Sequence, residues 1–351
     1  MGGFLYVPER TRERLMTLKQ LKYLLGVVDN GLNITSAADR LFTSQPGISK
    51  QLKQLEREIG VTIFSRKGKS LVALTPAGQT IVELARKIAR DVENIRSLGK
   101  ELTAEQEGTL SIATTHTQAR YVLPEILSQF HERYPNVKLE LHQGTSEQIA
   151  ALVAENKVDF AIATESRELF PELNLLPCFD WDRIVLTPQD HALAADDNCL
   201  TLEQLAEHPL ITYVFSSSRE SSFLHAFAQQ DLEPKVVFTA RDADVIKTYV
   251  RMGMGVGVIA PMALLCDDLK DLNASCAKGL FPTVTTWLGF PRDKVLRQYM
   301  KDFIALFAPH WPDYLIEQAA TAESQEIVDK LADDIDLPTR TGCTKGLAMA
   351  A

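Results

Sequence analysis

The chain is expected to fold as an α/β protein, with an N-terminal winged helix-turn-helix, a long linker helix and a C-terminal half built as two α/β lobes. Three observations predict this. Residues 33–58 read as two short helices joined by a tight corner, residues 76–102 keep one uninterrupted helical period, and beyond residue 108 strand and helix patterns alternate.

The first helix, TLKQLKYLLGVVDN, runs from Thr17 to Asn30 and is placed to support the pair that follows. In the second, Ala37, Ala38 and Leu41 are small or apolar where a neighbouring helix must approach closely, and Phe42-Thr43 supplies the corner. Ser44 is a good cap for the third helix, and Pro46 falls in its first turn, where a missing backbone N–H costs nothing. Ile48, Leu52, Leu55 and Ile59 share one stripe of this helix, while Ser49, Lys50, Lys53 and Arg57 point the opposite way. One face packs and the other is free to bind. Downstream, Thr62–Phe64, the tip Ser65-Arg66-Lys67-Gly68-Lys69, and Leu71–Leu74 read as a β-hairpin carrying three cations and a glycine. A basic hairpin beside a helix-turn-helix is a wing, suited to phosphates or the minor groove.

An amphipathic helix with a basic face is, alone, as well read as an ordinary solvated helix. Charge distribution separates the two readings. Residues 1–100 hold 17 Lys+Arg against 9 Asp+Glu and the remainder 20 against 37, so an end of +8 is joined to a body of −17 in a chain of net charge −9. Such asymmetry points to a nucleic-acid-binding end attached to something else. Ser44, Gln45 and Ser49 are then candidates for base-edge contacts, flanked by Thr43 and Pro46, and Lys50, Lys53, Arg66, Lys67 and Lys69 for phosphates of double-stranded DNA.

After Pro76-Ala77-Gly78, Ile81, Leu84, Ile88, Val92, Ile95 and Leu98 recur every three or four residues to about Leu102, flanked by charges. A solitary helix of this length needs a partner, so pairing with the same helix of a second subunit is expected; packing on its own domain is the alternative. Thr103–Gly108 forms a polar hinge. Strands follow at Leu110–Ala113, Val137–Leu141 and Val158–Ala163, with helices at Pro124–Arg133 and Glu147–Ala154. A second block spans Ile184–Ala260, with strands at Leu210–Phe215, Val236–Thr239 and Val256–Ala260 and helices at Phe223–Gln229 and Ala243–Met252. Trp287–Phe290 and Val295–Phe307 return the chain to the first block. The alternation predicts parallel sheets with right-handed crossovers and a cleft between two lobes. From about residue 311 the chain is acidic, with one helix near Glu323–Leu331 and an end, LPTRTGCTKGLAMAA, expected to be disordered.

Ligands of such folds sit at the carboxyl ends of parallel strands. The first strand ends in Thr114-Thr115-His116-Thr117-Gln118, the third in Thr164, and Ser216-Ser217-Ser218 follows a strand of the second lobe. These neutral groups suit hydrogen bonding to a small polar or anionic ligand. His116 has no accompanying nucleophile or carboxylate motif, so a structural or ligand-contact role is expected rather than general-base chemistry. Gly253-Met254-Gly255-Val256-Gly257 lacks dinucleotide-turn spacing and reads as a helix stop with close backbone packing. Asp242, Asp244 and His208 show no metal spacing, and neither a metal nor a cofactor is expected.

With 351 residues, 45% hydrophobic and 24% charged, the chain is ordinary for a soluble protein of two or more domains. No uncharged apolar run approaches the ~20 residues a membrane helix needs. The opening MGGFLYVPERTRER lacks the core of a signal peptide, and Met16 is an alternative start. Cys178, Cys199, Cys266, Cys276 and Cys343 are odd in number and scattered, so buried or incidental thiols in a reducing cytoplasm are expected, with neither zinc nor disulfides.

The run SAADRLFTSQPGISKQLKQLEREIGVTIFSRKGKSLVALTPAGQ resembles the winged helix-turn-helix of LysR-type transcriptional regulators. IATTHTQARYVLP, HQGTSEQIA, DFAIATE, FTARDADVIKTYVRMGMGVGVIA and FAPHW resemble the CysB/Cbl-like subgroup of that family; the likeness covers about Met16 to Pro312 and is weaker to Pro338. It implies a two-lobed effector domain like a type 2 periplasmic binding protein. It also implies a cytoplasmic homotetrameric activator of sulfur-assimilation and cysteine-biosynthesis genes, bound to an inverted repeat and working with RNA polymerase. The effector implied is N-acetylserine or O-acetylserine, or a sulfate-like anion, contacted by Thr115, Thr117, Gln118, Thr164 and Ser218. At Ser218 this chain departs from the subgroup, having SSSRESS where a glycine- and threonine-containing loop is usual. The domains expected are 16–75 (DNA binding), 76–107 (linker helix and hinge), 108–310 (effector binding) and 311–351 (tail). A solute receptor, or an enzyme acting on an acetylated amino acid, are the competing classes; the first would need an export signal, the second a base beyond His116.

Overall fold

The computed structural model describes residues 16–68, 70–102, 107–164, 167–194, 200–217, 221–292 and 294–343, in two units, Met1–Gly99 and Lys100–Ala351. In the first, α1 (Leu18–Val28) begins at a capping box in which Thr17 Oγ1 accepts from Gln20 N and Gln20 Oε1 accepts from Thr17 N. Helix α2 (Ile34–Arg40) is capped by Asn33 and α3 (Gln45–Ile59) by Ser44, and Gly60 closes α3 in the left-handed conformation at φ 73°. Ile48, Leu52 and Leu55 of α3 are buried with Leu21, Leu24, Val27, Ala37 and Ala38, as the stripe requires. The hairpin follows as β1 (Phe64–Lys67) and β2 (Ser70–Leu74), antiparallel, with an irregularity between Ser65 and Arg66.

Helix α4 (Pro76–Leu102) is locked to that hairpin. Thr75 Oγ1 donates to Thr62 O at 2.7 Å and accepts from Gly78 N at 2.9 Å, and a Cβ on Gly78 would fall 2.1 Å from the Ile63 carbonyl oxygen. Only glycine permits that approach. Val82 and Ala85 complete the core of the unit, and Arg86 pairs with Asp29 at 2.6 Å. On the same helix Leu84 is 57% exposed and, farther along, Ile95 is 71% exposed. The start of the helix therefore packs on its own unit, as the alternative reading expects, while Leu84 and Ile95 stand exposed. Lys69 and the 103–106 part of the hinge lie outside the described residues.

The second unit contains two five-stranded sheets. The first lobe has β3 (Gly108–Thr114), α5 (His116–Tyr121), α6 (Leu123–Arg133), β4 (Val137–Gln143), α7 (Ser146–Ala154), β5 (Phe160–Thr164) and β6 (Leu173–Trp181). The chain crosses at Asp182-Arg183 into the second lobe: β7 (Ile184–Pro188), α8 (Leu202–Ala206), β8 (Leu210–Tyr213), α9 (Ser222–Ala228), β9 (Val236–Ala240), α10 (Ala243–Arg251), β10 (Val256–Ile259) and β11 (Leu272–Cys276). It crosses back into β12 (Val284–Pro291), followed by α11 (Gln298–Phe307), α12 (Asp313–Ala320) and α13 (Gln325–Ala332). Strand orders are β4-β3-β5-β12-β6 and β11-β7-β10-β8-β9.

The sheets correct the expectation of purely parallel strands. β3 runs parallel to β4 and β5, and β8 to β9 and β10, but β12 is antiparallel to β5 and β6, and β7 to β10 and β11. The crossovers cause this, because a strand arriving from the other lobe enters its sheet from the opposite end. β6 was hidden by Pro177, which is tolerated where the β6–β12 register shifts between Thr286 and Trp287. The glycine run behaves as expected: Gly253 ends α10 at φ 73°, and a Cβ on Gly255 would lie 2.5 Å from the Pro209 carbonyl oxygen.

Two expectations about the C-terminal part fail. Cys266 and Cys343 form a disulfide, with Cα atoms 5.2 Å apart, because the chain end returns to a loop 77 residues earlier, which spacing along the sequence cannot reveal. The expected disordered end is ordered at least to Cys343, where Asp180 N donates to Pro338 O and Cys343 N to Leu264 O. Residues 344–351 and Cys199 lie outside the described residues; Cys178 is buried and Cys276 exposed.

Candidate nucleic-acid interface and ligand cleft

The corner between α2 and α3 is held from inside. Phe42 adopts φ 51°, Thr43 N donates to Ala38 O at 2.9 Å, and the Thr43 hydroxyl lies 3.5 Å from the Tyr23 hydroxyl. Ser44 Oγ accepts from Gly47 N at 3.3 Å, which fixes the start of α3 and leaves Gln45 and Pro46 exposed on its first turn. Lys50 and Lys53 are exposed on the same helix, and Ser49 is half-buried. The Phe42 ring, which the sequence reading used only as part of the corner, is 97% exposed.

The wing is tied to α3 by one carboxylate. Glu56 Oε1 accepts from the backbone N–H of Ile63 and Phe64, at 3.0 and 3.2 Å, while Glu56 Oε2 pairs with Arg66 at 2.6 Å. Arg66 is thus partly engaged in positioning the wing, whereas Lys67 at the tip is exposed. Glu56 was not singled out in the sequence; its place on the packed side of α3 was its only signal.

In the second unit, the ends of β3, β5 and β8 supply the polar groups. Thr114 Oγ1 donates to Ile162 O, tying β3 to β5, and Thr115 starts α5 without a side-chain cap. Gln118 is 1% exposed; its Nε2 donates to Thr286 Oγ1 at 3.4 Å, and its Oε1 is buried with no partner. Thr164 ends β5 directly opposite Thr286 on β12, and Trp181 Nε1 also donates to Thr286 Oγ1, at 3.2 Å. Thr117 on α5 is buried, and Tyr213 Oη of the second lobe accepts from Ala260 N at 3.2 Å. Burial, partly offset by that bond, raises the Tyr213 phenol above its ordinary pKa. Ser216, in the turn after β8, is fully buried and its Oγ has no partner. Ser218 lies outside the described residues, so Ser216 is what this turn shows. Thr286, Trp181 and Tyr213 were missed, since each sits inside an apolar strand with no motif around it.

The lobes are clasped beside this cluster. Arg120 pairs with Asp244 at 2.6 Å, and Tyr121 Oη donates to Asp244 Oδ1 at 2.7 Å, from α5 to the first turn of α10. Lys247 on α10 is buried; its Nζ donates to Asp268 at 2.8 Å and to Ala263 O at 3.0 Å and lies over the Tyr121 ring. Burial opposes ionisation of Asp244, but Tyr121, Lys247 and Arg120 outweigh it and hold the carboxyl below its usual range. His116, Asp242 and Asp244 bring possible ligand atoms within 4.8 Å of one another, a convergence the spacing did not show. Two cations already serve Asp244 and Asp242 caps α10, so the arrangement reads as a polar clasp rather than a metal site.

Among the described residues, no helix is long and apolar enough to cross a membrane. The bacterial regulatory helix-turn-helix family of LysR type matches residues 18–79, and the LysR substrate-binding domain family matches residues 103–312. The chain is 43% identical to the HTH-type transcriptional regulator CysB of Haemophilus influenzae over 325 residues, 93% of this chain and 100% of that protein. It is 42% identical to the regulator SsuR of Burkholderia cenocepacia, covering 84% of this chain and 96% of the relative, and 38% identical to the regulator Cbl of Escherichia coli, covering 90% and 99%. Among solved structures, the cofactor-binding domain of the Cbl transcriptional regulator matches at 38% identity and TM-score 0.59, over 62% of this chain and 96% of that one. Full-length OxyR from Pseudomonas aeruginosa, at 22% identity and TM-score 0.62 over 89% and 99%, shares the fold.

Proposed function

The chain belongs to the LysR family of helix-turn-helix transcriptional regulators, related to CysB, Cbl and SsuR and not to enzymes, and from that premise we propose that it activates sulfur-assimilation and cysteine-biosynthesis genes. The observation that carries the DNA-binding part is α3: Ile48, Leu52 and Leu55 of its apolar stripe are buried and Ile59 partly so, while Ser44, Gln45, Pro46, Lys50 and Lys53 stand exposed. In this reading Ser44, Gln45 and Ser49 contact base edges, Thr43 and Pro46 shape the approach, and Lys50, Lys53, Arg66, Lys67 and Lys69 hold phosphates. The chain works in the cytoplasm as a dimer of dimers on an inverted repeat, paired through α4, and engages RNA polymerase. Its functional divisions are residues 16–75, 76–107, 108–310 and 311–351.

The effector is a small polar or anionic molecule, acetylserine or a sulfate-like anion, contacted by Thr115, Thr117, Gln118, Thr164 and Ser218. The unpartnered Gln118 Oε1 and Ser216 Oγ support this, because buried polar atoms without partners are costly unless something else satisfies them. Gln118 Oε1 can only accept, so it favours acetylserine, which carries donors, whereas the Ser216 hydroxyl can donate to either ligand. One titration tests the whole reading: binding of the full-length protein to a promoter fragment upstream of cysteine-biosynthesis genes, with and without O-acetylserine or sulfate. Salt-sensitive, fragment-specific binding altered by one of these ligands is expected; equal affinity for unrelated DNA would overturn it.

A further inference from the structure

The C-terminal segment does more than finish the first lobe. Helices α12 and α13 are fastened to β6, with Asn174 Nδ2 donating to Ala319 O and Ala322 O and Gln325 bonding both backbone groups of Leu175. The chain then leaves that lobe. Arg340 N donates to Asp180 O at 2.8 Å and its guanidinium lies over Phe179, which anchors the segment to the end of β6. Three residues later Cys343 N donates to Leu264 O in the second lobe, and Cys343 is covalently joined to Cys266. A Cβ on Gly342 would fall 2.1 Å from the Pro261 carbonyl oxygen, so the segment lies flush against the turn that follows β10. Beside the two backbone crossovers, this is a third covalent path between the lobes.

Its far end is fixed to the loop that supports the clasp. Within residues 261–268, Ala263 O and the Asp268 carboxylate hold the buried Lys247, and Leu265 N donates to Asp268 Oδ2 at 2.9 Å. Helix α5, which carries Thr117 and Gln118, packs on the Pro261–Ala263 turn of the same loop. Cys266 itself is exposed and Cys343 half-exposed, so a thiol in solution can reach the bond. Accessible disulfides are the ones that exchange readily, and a reducing compartment supplies the thiols.

We propose that the Cys266–Cys343 bond is a redox-released strap: oxidised, it holds the 338–343 segment across both lobes; reduced, it frees that segment and loosens the 261–268 loop beneath the cleft. A thiol reductant, R–SH, attacks as its thiolate at the Cys266 sulfur, since Cys266 is the more exposed residue of the pair. The Cys266–Cys343 bond breaks, a mixed disulfide R–S–S–Cys266 forms, and the Cys343 thiolate leaves and takes up a proton. A second R–S⁻ attacks the mixed disulfide and releases R–S–S–R, and Cys266 is protonated in turn. Two electrons have passed to the protein and two thiols to one disulfide. Any change in ligand affinity rests on the cleft reading given above, whereas release of the strap does not.

The test uses full-length protein carrying Cys276→Ser, which removes the exposed free thiol among the described residues, oxidised with glutathione disulfide or reduced with dithiothreitol. Alkylation with mass spectrometry reports the pairing, hydrogen exchange reports residues 338–343 and 261–268, and a calorimetric titration with sulfate reports the cleft. Reduction is expected to speed amide exchange in both segments at least about tenfold, and Cys343→Ser is expected to show the fast exchange in both conditions. Exchange that is unchanged on reduction overturns the strap, as does a reduction effect that persists in Cys343→Ser, or free alkylation of Cys266 in the oxidised protein. Faster exchange with no sulfate binding in either state supports the strap and removes sulfate from the cleft reading.

Discussion

Tyr121 and Asp244 join the two lobes through a 2.7 Å hydrogen bond from the phenol of α5 to a carboxylate in the first turn of α10. Arg120 pairs with the same carboxylate, so one side chain of the second lobe receives two neighbours on α5. A closed arrangement of the lobes is thereby favoured at a point adjoining Thr117 and Gln118.

Loosening that clasp is the first expected outcome. Tyr121→Phe removes one hydrogen bond to a partly exposed carboxylate, for which about 1 kcal/mol is reasonable. If closure accompanies ligand binding, effector affinity should fall about fivefold, since an equilibrium shifts in proportion to that difference. Titration of the variant with the ligand that alters DNA binding checks this, and unchanged affinity would separate the clasp from closure.

Acid should weaken the same region. Asp244 and Asp268 are both held below the usual carboxylate range: burial alone would raise them, but it is outweighed by Tyr121, Lys247 and Arg120 at Asp244, and by Lys247, the Leu265 N–H and Arg251 at Asp268. A depressed folded-state value means that ionisation stabilises the fold above the ordinary carboxylate range and that this contribution disappears as pH falls through the folded value. Thermal unfolding of residues 100–351 within the whole protein should therefore be flat near neutrality and drop below about pH 4. Asp268→Asn should flatten that drop.

On the DNA side, Lys53→Ala should weaken binding across all sequences and reduce the salt slope by about 0.9 if it neutralises one phosphate. Sulfate or acetylserine affinity should not change. A slope equal to wild type would remove Lys53 from the phosphate contacts.

Ser44 has two possible duties, and glycine separates them. Ser44→Ala should cost about 1 kcal/mol of stability through loss of the cap, while Ser44→Gly should cost only roughly a few tenths. Sequence preference lost equally in both variants would mark a base contact; loss only in the alanine variant would mark the cap alone.

Glu56 is expected to matter as much as any cation. Glu56→Ala leaves the Ile63 and Phe64 N–H groups without their acceptor and releases Arg66, so a loss of about 2 kcal/mol is expected. Denaturant melts measure that cost, and DNA affinity of the still-folded fraction should fall because the wing is no longer held.

The helix-turn-helix was legible because local rules dominate it: Ser44 caps, Pro46 fits the first turn, and Ile48, Leu52 and Leu55 keep one stripe that the core uses. The alternation of strands and helices was legible for the same reason. Strand direction was not, because whether β12 runs with or against β5 depends on a crossover from the other lobe. Thr114, Thr117 and Gln118 could be marked from their place after a strand, whereas Thr286 meets Gln118 and Trp181 only through sheet order. The Cys266–Cys343 pair and the Glu56–Arg66 contact were invisible for a related reason: each joins partners whose proximity is created by tertiary folding rather than by period.

Gly78 leaves no slack between α4 and the wing, since the helix backbone is seated on the Ile63 carbonyl with no side chain intervening. A rod mounted that way cannot swivel independently of the hairpin it touches. If two subunits pair through α4 as proposed, a twist imposed on that pairing would reach the hairpin tip undamped, and a slight rotation between the subunits would change how far apart the two reading heads stand.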